Sequence, residues 1–223
     1  NPDLEDGLVG HWTFDGYLED QVTDRSGSDN HGYIAGVATS SMVKFGKIGQ
    51  ALEFDGVDDS VDMGDPASGD LDFNGSLSVS LWVRMNTDQG AASNILYDKR
   101  DGAGAGYNFY YDTDTWGGFF VEGVGNTYCL ARPSSVVLDT WIHFVGIYNS
   151  TDGECVLYAD GSLVSTNSLS VSPIGLDSRN VDEFEIGSND SGPDYFDGSI
   201  DDVRVYNRAL SAGEIQRLYE MGN

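Results

Sequence analysis

Apolar residues recur at every second position through most of this chain, in short runs separated by Gly, Asp, Asn and Ser. Leu77, Val79, Leu81 and Val83 alternate with Ser76, Ser78, Ser80, Trp82 and Arg84. That period of two predicts a strand with one apolar face, and it puts Trp82 and Arg84 on the opposite face. The same reading gives strands over Leu8–Phe14, a core strand around Leu52 and Phe54, a short one at Val61 and Met63, and others over Asn94–Lys99 and Tyr107–Tyr111. Gly117–Glu122, Tyr128–Arg132, Ser162–Thr166, Phe184–Gly187 and Ile200–Tyr206 read likewise. Trp141–Tyr148 and Cys155–Ala159 form a hairpin around Asn149-Ser-Thr-Asp-Gly, and Asp160-Gly161 signals a tight turn. A helix is expected only at the end, where Ser211 and Glu214 make a capping box, Ile215, Leu218 and Tyr219 an apolar stripe, and Gly222 the stop. Many short strands with turn signals between them predict an all-β fold, a two-sheet antiparallel β-sandwich with one short C-terminal helix.

The stretch before that helix, Gly198-Ser-Ile-Asp-Asp-Val-Arg-Val-Tyr-Asn-Arg-Ala-Leu-Ser, places Asp201 on the face of Val203 and Val205. A carboxylate on that apolar side needs a cation, a donor network or solvent at the sheet rim. The stretch resembles the C-terminal signature of laminin-G-like jelly-roll domains of the concanavalin A-like lectin/glucanase superfamily. Ala51-Leu-Glu-Phe-Asp-Gly-Val-Asp-Asp-Ser-Val, Ser78-Val-Ser-Leu-Trp-Val, Thr140-Trp-Ile-His-Phe-Val and Leu157-Tyr-Ala-Asp-Gly match it in order. The resemblance covers roughly Leu8 to Gly222 and implies a concanavalin A-like jelly roll. Residues 1–6 then read as a linker remnant and residues 7–223 as the domain. It says little about function, since the superfamily holds lectins, sugar-binding modules, adhesion domains and hydrolases.

Composition narrows the partners. The 223 residues carry 11 Lys plus Arg against 37 Asp plus Glu, a formal net charge of −26. Such a surface repels phosphate backbones and anionic lipid, so nucleic-acid binding and membrane-surface roles are not expected. No apolar run is long enough for membrane insertion. Scarce lysine with abundant aspartate suits a halophilic organism, whose salt screens the self-repulsion; calcium binding by some of the carboxylates is compatible with this. The chain begins without Met and reads as a piece of something longer. Cys129 and Cys155 are the only cysteines: either a disulfide worth roughly 3 kcal/mol by chain entropy or two buried thiols. An oxidising exterior, extracellular or at the cell surface, favours the pair.

Three chemistries are candidates. For calcium, Asp24–Asn30 offers Asp24, Ser26, Ser28, Asp29 and Asn30 around Gly27, a supply of hard oxygens without EF-hand spacing. The family resemblance implies one structural calcium held by Asp24, Asn30, the Gly56 carbonyl and Asp201; Asp24 and Asn30 are also ordinary turn formers. For carbohydrate, aromatic faces and planar polar groups are the recognition elements, and Trp82, Arg84, Tyr97, Lys99, Tyr107, Tyr110 and Trp116 are the candidates, set against the ordinary fate of large side chains as core. For hydrolysis, Asp182-Glu-Phe-Glu-Ile-Gly puts Glu183 and Glu185 on one face, but the next same-face position is Gly187 and a second catalytic acid is missing from the strand. The expected function is therefore a non-catalytic recognition module of a secreted or cell-surface protein, binding carbohydrate or a glycoprotein surface and carrying a structural calcium. A protein–protein adhesion domain meeting another cell-surface protein is the alternative, and a glycoside hydrolase or lyase the more remote one.

Overall fold

A computed structural model describes residues 4–16, 20–36, 42–66, 68–73, 75–86, 94–100, 105–111, 117–123, 127–133, 137–168, 183–189 and 194–223. In chain order its strands are β1 (Leu8–Trp12), β2 (Gln21–Val22), β3 (Gly32–Ala35), β4 (Val43–Phe45), β5 (Gln50–Asp55), β6 (Ser60–Asp62), β7 (Leu77–Met85) and β8 (Asn94–Arg100). They continue as β9 (Gly106–Tyr111), β10 (Gly118–Gly123), β11 (Thr127–Ala131), β12 (Ile142–Asn149), β13 (Glu154–Ala159), β14 (Ser162–Ser168), β15 (Glu185–Ile186) and β16 (Asp197–Tyr206), before helix α1 (Ala212–Met221). Among the described residues these strands form two antiparallel eight-stranded sheets. Sheet A runs β14-β13-β12-β7-β16-β5-β4, with β1 also paired to β16; sheet B runs β11-β10-β9-β8-β15-β6-β3-β2.

The apolar row of β7 faces inward with Leu52, Phe54, Tyr97, Phe109, Phe119 and Phe184 to make one core between the sheets. The two sheets come close where Gly146 of β12 meets Phe119 of β10: a Cβ there would lie 2.4 Å from the ring. A disulfide joins Cys129 of β11 to Cys155 of β13, with Cα atoms 5.9 Å apart, and so ties sheet B to sheet A. Closing a loop across 26 positions contributes about 3.5 kcal/mol in the chain-entropy account.

Sheet A is covered on its outer side as well. Ile215 and Leu218 of α1 bury against Val145, Ile147 and Tyr206, together with Leu4 and Leu210. For this reason β12 is apolar on both faces. The Ser211–Glu214 capping box forms as the sequence predicts, and Glu214 also pairs with Arg208 at 2.6 Å. Gly222 ends the helix with φ −95°, outside the left-handed region. It is required for closeness instead, since a Cβ at 222 would lie 2.5 Å from the Trp82 ring.

Candidate functional site

The ends of the chain do meet, for β1 pairs with β16. Trp12 faces Val203 on one side and Asp24 on the other, leaving Asp24 about two strand spacings, ~10 Å, from β16. The four residues of the implied calcium set nevertheless do not converge. Asp24 accepts the N–H of His11 (2.8 Å) and of Ser26 (2.8 Å) on Oδ1, and the Ser26 hydroxyl (2.7 Å) and Asn30 N–H (3.0 Å) on Oδ2. Four donors fill the lone pairs a carboxylate would turn to a cation. Asn30 donates its amide to the Val9 carbonyl, and its own carbonyl accepts the Trp12 indole N–H, each at 2.8 Å. The loop is thus a hydrogen-bonded staple onto β1.

Asp201 is placed by a β-bulge that strand periodicity does not show. Asp202 sits at φ +48°, and the pairing of β16 with β7 slips between Asp201 and Arg204. Ile200 and Val203 therefore both reach the core, while Asp201 turns to the outer face of sheet A opposite Trp82. This corrects the regular-strand expectation that Asp201 shares a face with Val203 and Val205; the extra residue shifts the parity by one. Asp201 is fully buried, and its Oδ2 accepts the Ile48 N–H at 2.8 Å, so its partner is the backbone of the turn before β5. Burial pushes its carboxyl up to about 7, with backbone donors from Ile48 and Lys47 pulling the other way. Gly46 must lack a side chain, since a Cβ would come 2.4 Å from Asp201 Oδ2. Gly56 lies four residues along β5 from Leu52, the partner of Ile200, about 13 Å of strand away. It belongs to another turn, where oxygens of Asp55, Asp58 and Asp59 gather within 4.8 Å of one another and Asp59 accepts the Asp55 N–H. The residues implied by resemblance thus do not fit one calcium site.

The proposed sugar-contact residues also divide. Tyr97 and Tyr107 are core, because a bulge at Leu96, between the Ile95–Tyr110 and Tyr97–Phe109 pairs, sets the parity of β8. Lys99 points the same way and is wholly buried, with Nζ 3.0 Å from Asp72 and 3.4 Å from Asp65. Trp82 is buried under α1, stacked on Tyr219 and beside His143, with Lys47 above its ring. None of these four is available to a ligand in solvent. Arg84, opposite Ser199 on β16, and Tyr110, on the outer face of sheet B, are partly exposed. Trp116 lies outside the described residues.

The structure assembles a different group on that outer face. Reading the registers from strand to strand, Tyr33 pairs with Asp62, Asp62 with Glu185 and Glu185 with Asp98. Asp98 then pairs with Asn108, Asn108 with Phe120 and Phe120 with Leu130. This row crosses seven strands, about 29 Å at ordinary strand spacing. Tyr33 is 59% exposed at one end; toward the other, where the row closes on buried Leu130, Phe120 stacks on Tyr128, itself 47% exposed, with ring centroids 5.2 Å apart. Its middle is planar and polar. Arg100 grips Asp98 through Nη2 at 2.7 Å and Nε at 3.1 Å, and Asn108 donates to Asp98 at 3.2 Å. Burial raises the Asp98 carboxyl, opposed by Arg100 and Asn108. The Asn108 Oδ1 is buried with no hydrogen-bond partner among the described residues. The three carboxylates are each engaged: Asp62 accepts the Gly64 N–H and Glu185 the Ser188 hydroxyl. Alternation along β9 and β10 marks Asn108 and Phe120 as outward, while Asp98 owes its face to the bulge at Leu96. Which of them become neighbours depends on register, and no local signal gives that.

The fold recurs in solved structures. Domain 4 of AbnA, an extracellular GH43 arabinanase from Geobacillus stearothermophilus, in complex with arabinotriose, is 21% identical with a TM-score of 0.72, over 95% of this chain and 98% of that one. The binding domain of botulinum neurotoxin DC in complex with SialylT is 14% identical with a TM-score of 0.76, over 99% and 52%. The binding domain of Paraclostridial Mosquitocidal Protein 1 is 16% identical with a TM-score of 0.74, over 97% and 52%. The chain spans about half the length of these toxin binding domains. By sequence, no curated relative matches it. A family model described as the concanavalin A-like lectin/glucanases superfamily matches residues 55–216, from the end of β5 into α1. The chain belongs to that superfamily.

Proposed function

We propose that this chain is a non-catalytic carbohydrate-recognition module of a secreted or cell-surface protein, and that saccharide lies along the outer face of sheet B. The observation that carries this reading is the set of open aromatic rings on this face, Tyr33 on one side and Phe120 stacked on Tyr128 on the other, with half-buried Asp62, Glu185 and Arg100 between them. Sugars take aromatic faces on their C–H surfaces and amide, carboxylate and guanidinium groups on their hydroxyls. A domain of the same fold, solved in complex with arabinotriose, supports the reading at the level of fold. Glu185, Asp62 and Asp98 are held by Ser188, Gly64 and Arg100, which argues against a free acid–base pair. The inter-sheet disulfide supports an oxidising exterior.

The test is a soluble glycan array with arabinotriose among the probes, followed by calorimetric titration of the strongest hit. Saturable binding is expected, weakened at least tenfold in Phe120→Ala and Tyr128→Ala. Silence across the array, or binding untouched by both substitutions, overturns it. Release of reducing sugar would transfer the same face to an enzyme. The −26 charge supports a high-salt habitat: the melting temperature is expected to fall steadily as KCl drops below about 1 M, and a flat profile removes that part of the proposal.

A further inference from the structure

On the outer side of sheet A, a cleft of about 680 Å³ opens between the N-terminal turn, the loop after β2, strands β1 and β16, and the last turns of α1. In a chain with 37 acidic residues, three of the eight arginines line it: Arg25 from the loop, Arg204 from β16 and Arg217 from the helix. His11 of β1 lines it too. Arg204 is held in place from behind, with Nε 3.1 Å from Asp202 Oδ2 and Nη2 3.2 Å from Oδ1. His11 Nε2 meets the same carboxylate at 2.7 Å. Asp202 thus takes two of the five guanidinium N–H groups and orients the rest. Its left-handed bulge conformation allows this, turning Asp202 toward the same side as Arg204 and His11. On the negative side stand Glu5 in the lining and Asp202 behind it. Leu8 and Met221 add apolar wall.

We propose that this cleft is a second binding site, and that it takes a small carboxylate carrying a short apolar or saccharide body. Guanidinium groups match a carboxylate in a planar, two-point geometry that an ammonium does not offer. Low-dielectric walls focus their field against the negative charge of the rest of the molecule. The site is independent of the sheet B reading, since the two lie on opposite outer faces.

The test titrates the folded chain with hexanoate and with galacturonate, using methyl hexanoate and galactose as uncharged controls, followed by NMR shifts in 0.2 M and 2 M KCl. At least one carboxylate is expected to saturate with a Kd in the millimolar range, about −4 kcal/mol, and to weaken in the higher salt. Hexanoate alone would mark a free organic acid as the source; galacturonate alone would mark an acidic saccharide. Arg25→Gln and Arg217→Gln, at positions partly open to solvent, are expected to weaken binding at least tenfold with the melting temperature unchanged, while Phe120→Ala leaves it intact. The proposal is overturned if neither carboxylate saturates, if the uncharged controls bind equally well, or if both arginine variants bind as the parent does. The comparison with uncharged controls decides the matter even if a variant fails to fold.

Discussion

On the outer face of sheet A, Trp82, Asp201, His143 and Tyr206 lie buried under α1 and the turn before β5. On the outer face of sheet B, Tyr33 stands in solvent at one end of a polar row and Tyr128 beside its other end, against Phe120. Both faces combine aromatic with polar side chains, and along single strands they read alike. They differ in what is laid across them. A covering helix turns an aromatic–polar face into a second core: Ser78 holds the Arg208 carbonyl and the Leu210 N–H, and Ser80 meets His143 Nε2 at 2.9 Å, while Trp82 Nε1, His143 Nδ1 and Asp201 Oδ1 are buried with no hydrogen-bond partner among the described residues. The outer face of sheet B keeps Tyr33 and Tyr128 open to solvent, although Asp98 and Asn108 between them are buried as well.

The sharpest test of this contrast exchanges the two faces by mutation. Trp82→Ala is expected to cost about 4 kcal/mol of stability in urea unfolding while leaving glycan affinity of the folded protein intact; Phe120→Ala should do the reverse, with under about 1 kcal/mol lost. Equal effects on both readouts at either position would erase the distinction. Next in size, Cys129→Ser with Cys155→Ser is expected to remove about 3.5 kcal/mol by untying the sheets, read as a lower urea midpoint; an unshifted midpoint would deny the staple its role.

A smaller effect on the covered side of sheet A is read by pH. Asp201 titrates near 7 when folded against 3.8 ordinarily, so between these values the folded state binds the extra proton, and stability falls as pH rises from about 4 to about 7. Glu214, drawn down to about 2 chiefly by its hydrogen bond from Arg208, has the opposite sign. Its contribution is present above its ordinary 4.5 and lost as pH falls toward 2. Melting curves of Asp201→Asn are expected to lack the decline between pH 4 and 7 and to keep the acid limb; a parallel offset of the whole profile would refute the assignment. The smallest expected effect is a null difference. Asp24→Ala should cost about 2 kcal/mol through its orphaned backbone donors, and that cost should be the same in EDTA as in calcium. A cost that vanishes on chelation would restore a metal to the loop.

Much of the fold was legible in the residues. The two-residue period of β7, the Asp160-Gly161 turn and the Ser211–Glu214 box are local signals, and each carries its own geometry. The candidate site was less so. Lys99 and Tyr97 looked like ligand groups because they are polar or aromatic beside Arg100, yet the bulge at Leu96 sends both inward. A regular strand would leave Asp201 among valines and in want of a cation, yet one inserted residue rotates it to the backbone of Lys47 and Ile48. A bulge changes face parity without changing composition, so pattern reading passes over it.

By itself, the sequence determined that this chain folds as stacked antiparallel sheets with a capped terminal helix, since alternation, turn chemistry and capping act between residues a few positions apart. It also determined the acidic surface. Only the tertiary structure decided that Asp62, Glu185, Asp98 and Asn108 stand abreast, that Trp82 is roofed over, and that Arg25, Arg204 and Arg217 share a cleft. The reason is physical: neighbours across strands are set by register and by which loop or helix covers a face, and both follow from contacts between residues far apart in the chain.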